Sequence, residues 1–405
     1  MTPAEWQRAR ALFEAAVERP QAERHAFVID ACAAGGSSVA TIRDRVLAML
    51  VADDAATRGD AGLAEVAPDL FAQFDDDPGV DDRQALIGTR VGPWKLVRQL
   101  GHGGMGAVYL AERVAEDFEQ RAAIKLVRPG WDAGDMQRRF REERRILAGL
   151  DHPQIAHLID GGETADGKPY LVMEYVDGQP LCVHCDARRL SIAERLQLFL
   201  AVCAGVAHAH RNLVVHRDIK PSNILVSATG EVKLLDFGIA RLLEHGADAT
   251  GTALRLFTPE YAAPEQIRGD PITTSADVYA LGLVLFELLT GGRPYDHAAA
   301  TASGRQLAIL TREPIRPSQL AQSRDVGARG LAAMRQLEPR QLGARLQGDL
   351  DAIVLKALRK EPQQRYASVE ALADDLRRHL NHEPVAARRG TWRYQSARFL
   401  RRHWL

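Results

Sequence analysis

Apolar residues near the start of the chain recur at helical spacing: Trp6, Phe13 and Val17 fall on one stripe. Thr2, Pro3 and Glu5 precede them as an N-cap, a proline at the first helical position and a capping-box acid. Phe27 with Val28, and Ile42 with Val46, Leu47 and Leu50, predict two more helices on either side of "AAGGSS". The spacing lapses near residue 53 and returns at Val91 as period-two alternation in "WKLVRQL", "AVYLAERV", "QRAAIKLV" and "PYLVMEYV". Beyond Ser191 it becomes helical again, in "SIAERLQLFLAVCAGVAHAHR", "TTSADVYALGLVLFELLTG", "LQGDLDAIVLKALRK" and "SVEALADDLRRHL". Strands first and helices later predict an α+β chain in which a small β lobe packs on a larger helical lobe. The expected divisions are a helical module at 1–52, a linker at 53–88, a main domain at 89–383 and a tail at 384–405. Within the main domain the β lobe should end at 173, a connection span 174–177, and the helical lobe fill 178–383.

Charge sharpens two of these segments. Ten acids lie between Asp53 and Arg83 against only Arg58 and Arg83, so a flexible linker is expected there, with Leu70, Phe71 and Phe74 as a short docking helix inside it. From Pro384 onward there is no acid, yet Arg388, Arg389, Arg393, Arg398, Arg401 and Arg402 are present. The whole chain carries a net charge of -1, which speaks against a nucleic-acid partner. Four cysteines in 405 residues suit a reducing compartment and no disulfide framework. Cys182 and Cys185 form a Cys-x-x-Cys without a second pair, so free thiols are expected over a redox or zinc site. The N-terminus has no apolar core of a signal peptide, and no run of about 18 apolar residues predicts a membrane span.

The chemistry-bearing residues cluster where the pattern is β-rich. Gly101, Gly103 and Gly106 set a G-x-G-x-x-G between two strands, a backbone that approaches phosphate closely; a dinucleotide fold would lead into a helix instead. Lys125 falls inside the apolar strand "AAIKLV". Either it reaches water from an edge, or it grips phosphate beside a carboxylate, because an unpaired buried ammonium is costly. Glu143 is the better partner by spacing, with Glu142 left open. "VVHRDIKPSNILV" places His216, Arg217, Asp218, Lys220 and Asn223 between two apolar runs, as a polar turn or as a rigid catalytic loop. His208 and His210, at i and i+2, cannot share a helix face, so structural roles are expected for them.

These motifs resemble the eukaryotic-like protein kinases. "HRDIKPSN" is similar to their catalytic loop, "DFG" at Asp236, Phe237 and Gly238 to their metal-binding turn, and "YAAPE" from Tyr261 to Glu265 to the end of their activation segment. Six elements follow in family order from about Val91 to Leu380. The resemblance implies a bilobal kinase fold. It also implies ATP-binding positions at Leu100, Gly101, His102, Gly103, Gly104, Met105, Gly106, Val108, Lys125, Met173, Glu174 and Val176. Asp218, Lys220, Lys125 and Glu143 take catalytic roles by the same resemblance, and Asn223 and Asp236 hold Mg²⁺ or Mn²⁺. Lys220 and Thr258 are what the Ser/Thr branch carries. Arg217 beside Asp218 implies control by phosphorylation, with Thr250 and Thr252 as candidate sites. Asp277 should brace the catalytic loop, and Glu265 with Arg365 should form a buried ion pair.

Similarity is strongest to bacterial membrane-associated Ser/Thr kinases, which implies protein substrates and a cytoplasmic catalytic domain. The basic tail, with Trp392, Tyr394 and Trp404, looks like a juxtamembrane stretch and implies a tether at the inner membrane face. The first module resembles segments found with extracytoplasmic-function sigma factors, a possible partner class; dimerisation is a further expectation. A pseudokinase scaffold and a small-molecule phosphotransferase of related fold are the alternatives. The first should lack Lys125, Asp218, Asn223 or Asp236, and the second should lack "TPEYAAPE".

Overall fold

The computed structural model describes residues 12, 15–16, 19, 21–32, 43, 46, 86–103, 106–114, 120–127, 149–164, 166–237, 260–296, 302–323 and 328–388. The chain divides into two compact units, Met1–Asp82 and Arg83–Leu405. In the first, helix α1 spans Gln21–Ala31. Val28 is buried on its inner side, and the Arg19 guanidinium sits 3.8 Å from the Phe27 ring centroid. The expected helix start at Thr2 and the stretch around Leu70–Phe74 lie outside the described residues.

The second unit opens with a sheet of six strands: β1 (Arg90–Val91), β2 (Trp94–Gly103), β3 (Gly106–Arg113), β4 (Arg121–Val127), β5 (Leu158–Glu163) and β6 (Pro169–Glu174). Their order is β1-β2-β3-β4-β6-β5, and every pairing is antiparallel. The pleat explains how one face becomes core and the other a wall of the cleft. Ala107, Tyr109 and Ala111 of β3, Ala122, Ile124 and Leu126 of β4, and Tyr170 and Val172 of β6 form one apolar cluster with Val91, Trp94 and Leu96. The intervening positions Val108, Lys125, Leu171 and Met173 therefore point to the opposite face. Val108 and Leu171 are the direct cross-strand partners of Lys125.

A second, three-stranded sheet of β7 (Gly178–Pro180), β8 (Ile224–Ser227) and β9 (Val232–Leu234) begins the helical lobe. Around it lie α2 (Leu181–Ala187), α3 (Ile192–Arg211), α4 (Pro264–Arg268), α5 (Thr274–Thr290), α6 (Ala302–Thr311), α7 (Pro317–Ala321), α8 (Ala328–Ala333), α9 (Pro339–Leu346), α10 (Asp349–Ala357) and α11 (Val369–Leu380).

Helix α3 begins with a full capping box, Ser191 bonding to the Glu194 N–H and Glu194 reaching back. It has the length and hydropathy of a membrane span, but Leu196, Phe199, Val202, Cys203 and Val206 lie in the core of this lobe. Helix α5 is apolar all round for the same reason. From Ala276 to Phe286 every residue is buried, and the helix ends at Gly291, whose φ of 80° is a left-handed C-cap.

Candidate active site

Each acidic side chain of the cleft is carried by backbone that a distant group holds in place. The loop Val214–Lys220 leads into a 3-10 turn, Pro221–Asn223, and then into β8. Arg217, just before Asp218, has φ of 69°, a left-handed conformation that costs a non-glycine residue roughly 1–2 kcal/mol. Asp277 in the first turn of α5 offsets this cost. Its Oδ2 accepts the His216 N–H at 2.8 Å and its Oδ1 accepts the Arg217 N–H at 2.9 Å. His210 Nε2 lies 2.7 Å from the same carboxylate. Burial opposes ionisation of Asp277 most strongly, yet the hydrogen bonds and positive neighbours hold its carboxyl below the ordinary value.

On the far side of the same backbone, Gln266 Nε2 donates to the Arg217 carbonyl at 2.9 Å. Asp218 is then aimed between two partners. Lys220 Nζ is 2.8 Å from its Oδ2, and Asn223 Nδ2 donates to both its carbonyl (2.8 Å) and its Oδ2 (3.1 Å). The amide nitrogen of Asn223 is thus committed inward, which leaves its amide oxygen as the group able to take a cation.

Asp236 follows β9 and is also left-handed, with φ of 59°. The ladder hands it over: Leu234 bonds to Gln154 and Ala156, and Leu235 N–H donates to the Asn223 carbonyl at 2.9 Å. Across the cleft, Lys125 Nζ meets Asp236 Oδ2 at 2.9 Å, with the lysine side chain 7% exposed. The other carboxylate oxygen, Oδ1, is buried and has no hydrogen-bond partner among the described residues. That orphan oxygen, together with an Asn223 amide oxygen that has no hydrogen-bond partner among the described residues, makes a pair of oxygen donors of the kind that suits a hard divalent cation. Phe237 tucks under this point, its ring centroid 4.5 Å from that of His216. Met173 lines one cavity with Leu158, Leu171, Asp236 and Phe237.

The structure therefore brings Lys125, Asp218, Lys220, Asn223 and Asp236 around one cleft. Leu100, Gly101, His102, Gly103, Gly106 and Val108 form the β2–β3 hairpin, where Gly103 pairs with Gly106, itself at φ of 139°. Glu174, which the structure places at the end of β6 rather than in the connection, uses its carboxylate for Lys233 at 2.8 Å and for the His157 N–H at 3.1 Å, so it ties the end of the β lobe to β9. Glu143, Gly104, Met105, Gly238, Thr250, Thr252 and Thr258 lie outside the described residues.

Farther from the cleft, Arg365 makes two bonds to Glu265, of 2.6 and 2.7 Å. His208 stacks on His152 with centroids 4.7 Å apart. Burial raises the thiols of Cys182 and Cys185, the latter to about 11, as suits buried structural thiols.

Sequence reasoning passed over Gln266 and over the buried pair Arg195 and Arg335. The two arginines cap the end of α5 by donating to the Leu288 carbonyl at 3.1 and 3.0 Å. A glutamine directly after "APE" was the available signal for Gln266; nothing local marked the arginines as buried.

A β lobe that offers a lysine to one acid of a helical lobe, whose second acid is paired with a lysine of its own loop, is the architecture of a bilobal phosphotransferase. Residues 94–376 match the protein kinase domain. Over 299 residues the chain is 37% identical to the serine/threonine-protein kinase PknB of Mycobacterium leprae, a match covering 71% of this chain and 43% of that protein. It is 36% identical over 309 residues to PrkC of Bacillus subtilis, covering 76% and 43%. Against Pkn1 of Myxococcus xanthus it is 35% identical over 318 residues, covering 77% and 42%. The chain belongs to the protein kinase family, and its match spans less than half the length of each of these relatives, all bacterial serine/threonine-protein kinases by name.

Proposed function

We propose that the chain transfers the γ-phosphate of ATP to serine and threonine hydroxyls of proteins. The observation that carries this reading is the convergence of Lys125, Asp218, Asn223 and Asp236 on one cleft, with a buried Asp236 oxygen that has no partner among the described residues. Phosphoryl transfer asks for positioning and charge neutralisation more than covalent help. Asp218 accepts the proton of the attacking hydroxyl, and Lys220, beside it, follows the charge of the moving group. Asn223 and Asp236 hold Mg²⁺, or Mn²⁺, through oxygen; the ion supplies charge neutralisation at the phosphates. Lys125, compensated by Asp236 until nucleotide arrives, takes phosphate oxygens, and Glu143 steadies it. The β2–β3 hairpin covers the phosphates, with Leu100, His102, Gly104, Met105 and Val108 around the nucleotide. Met173, Glu174 and Val176 border the adenine.

Thr250 and Thr252 are the proposed autophosphorylation sites, and Thr258 is proposed for the role of the threonine that the Ser/Thr branch carries near its catalytic Asp and Lys. The substrates are proteins. A sigma-type transcription regulator at the first module, dimerisation, and a cytoplasmic domain tethered through the arginine-rich tail are the finer proposals. Labelled ATP, Mg²⁺ and a generic protein substrate test the reading. Wild type should label serine and threonine, and Asp218→Asn should lower turnover roughly 10²–10⁴-fold. Equal labelling by both proteins would reject Asp218 as the base.

A further inference from the structure

Gln266 is 4% exposed, and both ends of its amide are in use. Its Oε1 accepts the Ala263 N–H at 2.9 Å, which caps α4, and its Nε2 donates to the Arg217 carbonyl at 2.9 Å. That carbonyl belongs to the peptide plane that also carries the Asp218 N–H, so the bond fixes the plane from which the Asp218 side chain departs. Asp277 fixes the preceding plane through the Arg217 N–H. Between the two, a left-handed residue is held at both its amide and its carbonyl. The anchor itself cannot drift: the neighbouring Glu265 is locked to Arg365 by the paired bonds of 2.6 and 2.7 Å. Through the Ala263 N–H, Gln266 also holds the last residue of the stretch Glu260–Ala263, so it links the seating of that stretch to the aim of the cleft carboxylate.

We propose that Gln266 is a positioning residue for phosphoryl transfer, acting through the Arg217 carbonyl to orient Asp218. The inference rests on the proposed kinase reading, and it concerns kcat rather than nucleotide binding. A misplacement near 1 Å at a reacting group costs about 10²-fold in rate. Gln266→Glu separates this role from simple packing. It keeps the shape and the acceptor for the Ala263 N–H, but it turns an oxygen toward the Arg217 carbonyl. Only a protonated carboxyl restores the donor.

The full chain should be assayed with ATP, Mg²⁺ and a generic protein substrate from pH 8 to pH 6, beside its melting temperature. At pH 8 the expected result for Gln266→Glu is a kcat roughly 10–100-fold below wild type. The KM for ATP should stay unchanged, while the melting temperature should fall, because the new carboxylate is buried, but remain above the assay temperature. The ratio of variant to wild-type kcat should climb as the pH falls. Gln266→Met, of similar volume and without a donor, should show the same loss with a flat ratio, and it serves if the glutamate variant does not fold. A kcat within about twofold of wild type in either folded variant overturns the inference, as does a loss matched by an equal rise in KM for ATP. If wild type itself transfers no phosphate, the kinase reading fails; if wild type and Gln266→Glu are equally active, only the role of Gln266 fails.

Discussion

Arg365 and Glu265, 100 residues apart in the chain, face each other in a buried two-pronged pair with bonds of 2.6 and 2.7 Å. The guanidinium also donates to the carbonyls of Arg359, Lys360 and Ser275 and lies over the Tyr279 ring, 4.9 Å from its centroid. All its donor directions are answered, the condition under which a buried pair holds its place. Arg365→Ala leaves the Glu265 carboxylate buried without its partner and should cost about 3–5 kcal/mol. Denaturant unfolding of the two proteins measures it.

Acid should weaken the domain partly through Asp277. Its folded pKa lies below 3.8, so the folded state takes up the proton less readily than the unfolded chain. The stability it contributes is therefore present above 3.8 and lost as the pH falls through the folded value. Melting curves of wild type and Asp277→Asn from pH 7 down to pH 2.5 should converge below that point. A constant gap would argue against the linkage.

Lys125→Met removes the ammonium that meets Asp236 while keeping most of the side-chain volume in β4. Transfer should fall roughly 10²–10³-fold, the usual effect of deleting one preorganised donor at developing charge. Thermal stability should fall, by less than for Arg365→Ala, because Asp236 loses its partner but stays 24% exposed. Steady-state kinetics beside calorimetry reads both outcomes.

The thiols of Cys182 and Cys185 should resist alkylation. Burial raises both pKa values, so little thiolate exists at pH 8. Mass spectrometry after iodoacetamide should find both unmodified in folded protein and both modified in urea.

The segment after α11 should come loose when Asp375 is replaced. That carboxylate, 1% exposed, accepts the Tyr366 hydroxyl at 2.9 Å and the N–H groups of Ala386 and Ala387 at 2.6 and 2.8 Å, while Val385 sits in the core. Asp375→Ala should cost about 3 kcal/mol, given several hydrogen bonds to a buried charge. It should also expose the 384–388 segment to limited proteolysis.

How far the molecule could be read in advance depended on the range of the forces. Alternation in "AAIKLV" was enough to make a strand, and the strand's pleat then turns Lys125 away from Ile124 and toward the cleft. Ser191 with Glu194 marked the start of α3 because a capping box is local. The catalytic-loop motif named the acids, but not the left-handed backbone under Arg217, which exists only because Asp277 lies 60 residues downstream. Gln266 and the arginines Arg195 and Arg335 escaped notice for the same reason. Their partners are backbone carbonyls, which leave no mark on the spacing of side chains.

The strained torsion at Arg217 carries a lesson for protein engineering. Cut out and grafted onto a foreign hairpin, the octapeptide from His216 to Asn223 would keep its letters and relax its shape, since the clamps that bend it stay behind on α4 and α5. Borrowing this chemistry means transplanting the whole helical lobe.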